Sequence, residues 1–262
     1  MFQTILSQWQ PFLVVFFLLL FWFWESIAPF FTREHRVKHA ARNLTISLVN
    51  GIVIAGIFAG MMIIIADFTE RNQIGLLHWF GISGLMQFVC AFLLVDIWTY
   101  WWHRVNHIIP FLWRFHRMHH SDPEMDVTTA TRFHVGEIIF SSVIKLGLIP
   151  LIGIPIGVLI LYDVVQLPII SFHHANIRLT QGLDKFMRYI IVTPFMHKVH
   201  HSRTKVETDS NFSSTFSVWD RLFRSYVEKH NYREIRFGLD GYDVEGRQSV
   251  KGLLSTPLYE LR

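Results

Sequence analysis

Residues 100–137 read YWWHRVNHIIPFLWRFHRMHHSDPEMDVTTATRFHVGE and place HxxxH (His103, His107) and HxxHH (His116, His119, His120) directly behind an apolar run. A second HxxHH follows at His197, His200 and His201, so eight histidines fall into three tight clusters. On a helix, residues i, i+3 and i+4 share a face, and each cluster therefore aims its imidazoles in one direction. Three such faces can converge on metal.

Outside the clusters the chain reads as membrane. Of its 262 residues 51% are hydrophobic, with 24 Phe and 9 Trp, and the mean hydropathy is +0.32. That is more apolar than a soluble core requires. Runs of crossing length, about 20 residues, occupy 9–31, 44–66 and 80–102. The first lacks a basic segment on its N-terminal side and a small-residue cleavage site, which predicts an anchor and not a removable signal. Region 137–174 is too long for one crossing and is broken by Gly147, Pro150, Gly153, Pro155 and Gly157. It predicts two short helices joined near residue 154, a hairpin that enters and leaves on one side. The expected fold is an all-α integral membrane helical bundle of about four spans, the last region a helical hairpin. A histidine-rich helical part, from 103–136 and 175–230, caps it within a single domain over 1–262.

Charge sets the expected orientation. Arg33, Arg36, Lys38 and Arg42 follow the first span, and Arg104, Arg114, Arg117 and Arg132 follow the third, whereas the intervening loop holds Asp67, Glu70 and only Arg71. By the positive-inside rule the basic loops are cytoplasmic and the N-terminus is outside, which puts all three clusters on the cytoplasmic face. The net charge of +4 is spread over loops and forms no stripe of the kind that binds nucleic acid. Cys90, the single cysteine, excludes an internal disulfide and a cysteine-based zinc or iron–sulfur site.

Any metal must then be held by nitrogen or oxygen. Neutral imidazoles suit iron, zinc, copper or nickel, and suit calcium or magnesium badly. Eight nitrogens are too many for one ion, so two metals with about four nitrogens each is the natural division, and a pair of irons with open positions is suited to dioxygen. The HExxH helix of zinc proteases is absent, because Arg104 follows His103 and the other clusters carry no Glu at that place.

The residues resemble the fatty acid hydroxylase and sterol desaturase superfamily of membrane non-haem di-iron oxygenases. Residues 100–137 are similar to its HRxxH, LWrfHxxHHS and RfHPxE signatures, with Val135 in place of proline; FHHAN at 172–176 resembles its FxHxN element. Residues 193–223, TPFMHKVHHSRTKVETDSNFSSTFSVWDRLF, resemble TPxxHxxHHS followed by NyG and WDrlFGT, with Ser213 for glycine and Arg224-Ser225 for Gly-Thr. The resemblance covers roughly 95–226. It implies a four-helix membrane bundle with a cytoplasmic histidine domain that hydroxylates a fatty acyl or sterol-like lipid in lipid biosynthesis, or desaturates it, using O2. It also implies two iron ions held by His103, His107, His116, His119, His120, His174, His197, His200 and His201.

Other residues carry weaker expectations. Asp96 lies two helical turns before His103 and is placed to orient a ligand imidazole; His134, Asn211 and Asp220 are further candidates for the shell around the ligands. Trp219 should supply packing. His173 is left out as interfacial, and His35, His39, His78 and His230 are read as solvated or interfacial. Lys145 and Asp163 are equidistant from residue 154 and predict a buried ion pair across the hairpin. Electrons must come from a separate carrier, a cytochrome b5-like protein, ferredoxin or reductase, because the chain has no cysteine cluster and no GxGxxG fingerprint. Arg114, Arg117, Lys198, Arg203 and Lys205 offer that carrier a basic face. A metal transporter would place ligands near the bilayer midplane, and a bis-histidine haem protein would pair histidines across spans at matching depths; the clusters fit neither pattern.

Overall fold

A computed structural model describes residues 2–260, without the side chains of 2–8. Helix α1 (Phe2–Ile27) is followed by α2 (Arg36–Val53), which runs through one π-helical turn into α3 (Ala59–Arg71). A short α4 (Leu76–Trp79) leads to α5 (Gly84–Ile108), α6 (Pro110–His120), α7 (Val135–Ile152) and α8 (Ile156–His174). The remainder is built from short helices: α9 (Gln181–Met187), α10 (Pro194–His200), α11 (Lys205–Thr208), α12 (Val218–Leu222), α13 (Glu245–Gln248) and α14 (Val250–Leu254). Among the described residues there are isolated bridges but no strand.

Among the described residues five helical segments are long and apolar enough to cross a membrane: Trp9–Ile27, Arg36–Trp79, Gly84–Ile108, Val135–Ile152 and Ile156–His174. The bundle presents Phe12, Phe16, Leu19, Leu48, Ile63 and Leu85 outward, all more than half exposed. An apolar surface on that scale, on helices of crossing length, fits a lipid environment. Inside, Ala66, Ala91, Val95, Ile149, Val158 and Tyr162 form the bundle core.

The hairpin turns at Gly153, which adopts the left-handed conformation (φ +85°) one residue from the expected joint. Its legs are 18 and 19 residues, long enough to cross where short helices were expected. Gly153 meets Gly75 (φ +107°), where a Cβ would lie 2.3 Å from the Gly153 nitrogen. This backbone contact pins the α3–α4 turn to the hairpin apex, on the side of the bundle opposite the histidines. His78 packs there too, its side chain only 4% exposed and near Glu70; it is buried, not solvated.

The expected Lys145–Asp163 ion pair is absent among the described residues. The legs diverge from the apex, α7 packing on α2 and α3 and α8 on α1 and α5, so equal distance from the turn does not bring the two side chains together. Asp163 instead faces Gln10 of α1 (3.5 Å). Helix boundaries also shift toward the histidines: α2 begins at Arg36 and α5 runs to Ile108. His39 becomes part of a buried stripe with Asn43, Ile46 and Asn50. Its ring lies between Asp122 (2.8 Å) and Asp126 (3.0 Å), which overturns its reading as a solvated residue. His35 and His230 are exposed as expected.

Candidate metal centre

Four helices deliver the imidazoles. His103 and His107 lie one turn apart near the end of α5, His116, His119 and His120 on the last turns of α6, His174 at the end of α8, and His197 and His200 on α10, with His201 at its cap. Their ring nitrogens assort into two groups, His103, His107, His116, His120 and His200 in one and His119, His174, His197 and His201 in the other, each with its nitrogens within 4.8 Å. The HxxHH clusters therefore do not each serve one ion. On α6 the i,i+4 pair joins the first group and the i+3 histidine the second; on α10 the assignment is reversed. The division is five and four, where sequence arithmetic gave about four each.

Hydrogen bonds on the outer nitrogens fix the protonation of several rings. His103 Nδ1 donates to the Phe212 carbonyl (2.8 Å), His200 Nδ1 to the Ser210 carbonyl (2.6 Å) and His174 Nδ1 to the Ile170 carbonyl (2.9 Å). A carbonyl only accepts, so each of these neutral rings carries its proton on Nδ1 and turns a bare Nε2 inward. Yet His103 Nε2 and His200 Nε2 stand 2.9 Å apart. Two lone pairs at that distance repel unless a cation lies between them. In the second group the Nε2 of His174 is 3.2 Å from that of His119 and 3.1 Å from that of His197, itself 3.1 Å from that of His201. A transition metal with nitrogens at about 2.0–2.1 Å sets neighbouring ligand nitrogens roughly 3–3.4 Å apart. The donor set fits two metal ions.

Burial keeps the rings neutral. It holds His119, His120, His197 and His201 well below the ordinary imidazole range, reinforced by neighbouring imidazoles, and lowers His200 to about 3. Ligation needs that neutral form.

Sequence reasoning missed several supporting groups. Glu137, in the first turn of α7, accepts from His116 Nδ1 (2.8 Å) and is buried. Its place within RFHVGE was visible, but its partner was not. A carboxylate behind a metal-bound imidazole fixes its tautomer and raises its basicity, so Glu137→Gln should lower metal affinity or turnover by roughly 10–100-fold while leaving the fold intact. Metal titration followed by tryptophan fluorescence checks this; unchanged affinity and turnover would remove Glu137 from the site. Asp209 lies 3.4 Å from His107 Nδ1. Glu25 of α1 accepts from the backbone N–H groups of Val127 (2.8 Å) and Asn176 (2.6 Å), tying the first span to the loop behind α6 and to the end of α8.

Other candidates act elsewhere. Asp96 reaches no imidazole: it accepts from Tyr162 (2.8 Å) and from the Trp219 indole (2.6 Å), joining α5 to α8 and the tail. The tail draws it aside because Trp219 carries a donor as well as bulk. His134 caps α7, its Nδ1 accepting from the Gly136 N–H (2.9 Å) and its Nε2 donating to the Leu254 carbonyl (3.0 Å), so neither nitrogen is free for metal. Asp220 accepts from the backbone N–H groups of Phe212 (2.7 Å) and Ser213 (2.9 Å), holding in place the carbonyl that orients His103. Asn211, at φ +52°, bonds the carbonyls of Met196 and Val227 and braces the loop between α10 and α12. His173 is buried with its ring centroid 4.1 Å from that of His197 but lies outside both groups. Lys198 is buried against the Ala175 carbonyl (2.9 Å), and burial pushes its amino group down to about 7. Arg117 is buried as well, so neither belongs to an exposed docking face.

The sequence pattern that defines the fatty acid hydroxylase family matches residues 88–225, which contain every histidine of both groups. The chain belongs to the fatty acid hydroxylase family. It is 31% identical to an ornithine lipid hydroxylase of Rhizobium tropici over 163 residues, 61% of this chain and 47% of that protein. It is 30% identical to an alkylglycerol monooxygenase of Xenopus tropicalis over 149 residues, 57% of this chain and 32% of that one. A sphingolipid C4-hydroxylase of Saccharomyces cerevisiae is 27% identical over 177 residues, 63% and 48% respectively. The chain thus matches between about a third and a half of the length of these curated relatives. No solved structure matches it.

Proposed function

We propose that this protein is a membrane-embedded oxidoreductase that hydroxylates a C–H bond of a lipid, with two iron ions held by the nine imidazoles. The observation that carries the reading is the convergence of the imidazoles into two groups: the bare Nε2 atoms of His103 and His200, 2.9 Å apart, need a cation between them, and the Nε2 atoms of the second group stand at the 3.1–3.2 Å spacing of ligands on one ion. The names of the relatives, all lipid hydroxylases or monooxygenases, supply the reaction class. The net reaction consumes one O2, two electrons and two protons per C–H bond and returns an alcohol and water. When bound, the irons supply the dioxygen chemistry. The chain's own part is to hold nine neutral imidazoles in place, to bury the site from water, and to admit the hydrocarbon.

A cavity of about 220 Å³ between α1 and α8, lined by Gln10, Val14, Leu18, Leu167 and Ile170, supports entry from the bilayer. It reaches Ile170, whose carbonyl holds His174. The basic loops, read by the positive-inside rule, support a cytoplasmic histidine side. An external donor such as a cytochrome b5-like protein, ferredoxin or reductase delivers the electrons there.

Anaerobic purification with metal analysis and Mössbauer spectroscopy tests the reading. The expected result is about two irons per chain as an antiferromagnetically coupled pair. Zinc alone, or isolated iron, would defeat it.

A further inference from the structure

A cleft of about 1130 Å³ opens beside the five-imidazole group, with His107, Trp113 and Phe212 along its inner wall. Six cations line it, Arg104, Arg117, Arg203, Lys205, Arg224 and Arg247, against three acids, Asp209, Asp240 and Glu260. Arg203 is paired with Asp243 (2.6 Å) and Asp240 (3.4 Å). The other five have no carboxylate within salt-bridge distance among the described residues.

Arg117 is the most telling. It is 3% exposed, and its guanidinium is held by the carbonyls of Thr256 (2.7 Å) and Tyr259 (2.6 Å), while its buried Nε has no partner among the described residues. A buried cation without a counter-ion is costly, and an arriving anion relieves that cost. Arg247 lies over the rings of Tyr242 (5.1 Å) and Tyr259 (4.5 Å), which fixes it at the wall with no carboxylate paired to it among the described residues. Tyr242, Arg247 and Tyr259 lie beyond the family match at 88–225.

The mouth is of another kind. Ile108, the last residue of the fifth helix and 62% exposed, and Leu258, 83% exposed, line the cleft at its edge. Ile109 and Phe111 continue the apolar lip outside it, 43% and 56% exposed. An apolar lip at the end of a span, around a cationic interior, matches an amphiphile whose charged end is negative.

We propose that this cleft binds the anionic phosphate- or carboxylate-bearing head group of the lipid substrate, with Arg117, Arg247, Lys205 and Arg224 as its counter-charges. The carbons just beyond the head group then lie against His107 and Trp113, at the edge of the metal centre. This names the substrate class for the hydroxylase reading and rests on it, but its test reads binding and not turnover.

The metal-loaded protein in detergent is titrated with dihexanoyl phosphatidic acid by calorimetry, with dihexanoyl phosphatidylcholine and inorganic phosphate run alongside. The expected result is saturable binding of the phosphatidic acid, weaker binding of the zwitterionic lipid, and still weaker binding of phosphate, which lacks the chains that engage the lip. The triple variant K205Q/R224Q/R247Q, which leaves the buried Arg117 in place, should bind the phosphatidic acid at least about tenfold more weakly, since each lost contact is a charge-assisted one. Its metal content should equal that of the wild type, which separates failure of this inference from failure of the metal assignment. Equal affinity in wild type and variant would overturn the proposal, as would indifference to lipid charge, the outcome for a face that docks an acidic protein. Phosphate binding as tight as the lipid would also overturn it, marking a site for a soluble anion.

Discussion

His200→Ala is expected to abolish turnover and strip metal from the five-imidazole group. His200 is fully buried, its Nε2 2.9 Å from that of His103 and its Nδ1 donating to the Ser210 carbonyl (2.6 Å). Alanine removes one inward nitrogen and leaves the opposing lone pair of His103 without the cation that the pair would share. Loss of an outer hydrogen bond to a metal-bound histidine already costs roughly 10–100-fold, and loss of the ligand itself should exceed that. Metal analysis should show occupancy of the first group falling while the four-imidazole group retains most of its own, because His119, His174, His197 and His201 keep their nitrogens. His119→Ala should give the converse. His230→Ala, at an exposed residue, serves as the control and should change neither metal content nor product formation. Full metal content and turnover in His200→Ala protein of normal melting temperature would take His200 out of the ligand set.

The sequence reaches far into this site because its two strongest signals are local. Histidines at i, i+3 and i+4 report their clustering directly, and apolar runs report the bilayer. The split between groups was not legible, since it depends on how α6 and α10 face each other: neighbouring positions on one helix edge fall on opposite sides of the shared wall where His120 and His201 stack at 4.5 Å. Helix ends were misplaced for a related reason. Hydropathy marks where the bilayer stops, while α5 continues as a polar-faced helix to Ile108 and carries His103 and His107 on it. The Lys145–Asp163 pairing failed because symmetry about a turn says nothing of divergence. Glu25, Glu137 and His39 were passed over because each gains its role from a partner 21 to 151 residues away.

Asp122→Asn is expected to destabilise the protein more than any other single polar substitution on the histidine side. Asp122 is fully buried two residues beyond His120 and accepts from His39 (2.8 Å), from the Thr129 hydroxyl (2.7 Å) and from the Glu124 N–H (3.0 Å). Arg132 approaches it at 3.9 Å while donating to the Met118 carbonyl (3.0 Å) and the Ser121 hydroxyl (2.9 Å), so the cluster grips the end of α6, where three of the proposed ligands lie. Asparagine keeps the shape and deletes the charge, leaving a buried imidazole and guanidinium short of one counter-ion. Breaking a buried pair from one side costs about 3–5 kcal/mol, which corresponds to a fall in Tm of roughly 10 °C for a chain of this size. Burial pushes the Asp122 carboxyl up, but His39 and Arg132 outweigh it and hold it well below the usual carboxylate range. Its contribution is therefore complete above about pH 4, the unfolded value, and is lost only as the pH falls below that. The cycle with His39→Leu separates pairing from packing: removing both partners should cost less than the sum of the single losses, because the second change deletes the charge that the first left uncompensated. Strict additivity in thermal unfolding of the detergent-solubilised variants would show that α2 and the histidine loop are not held together through this contact.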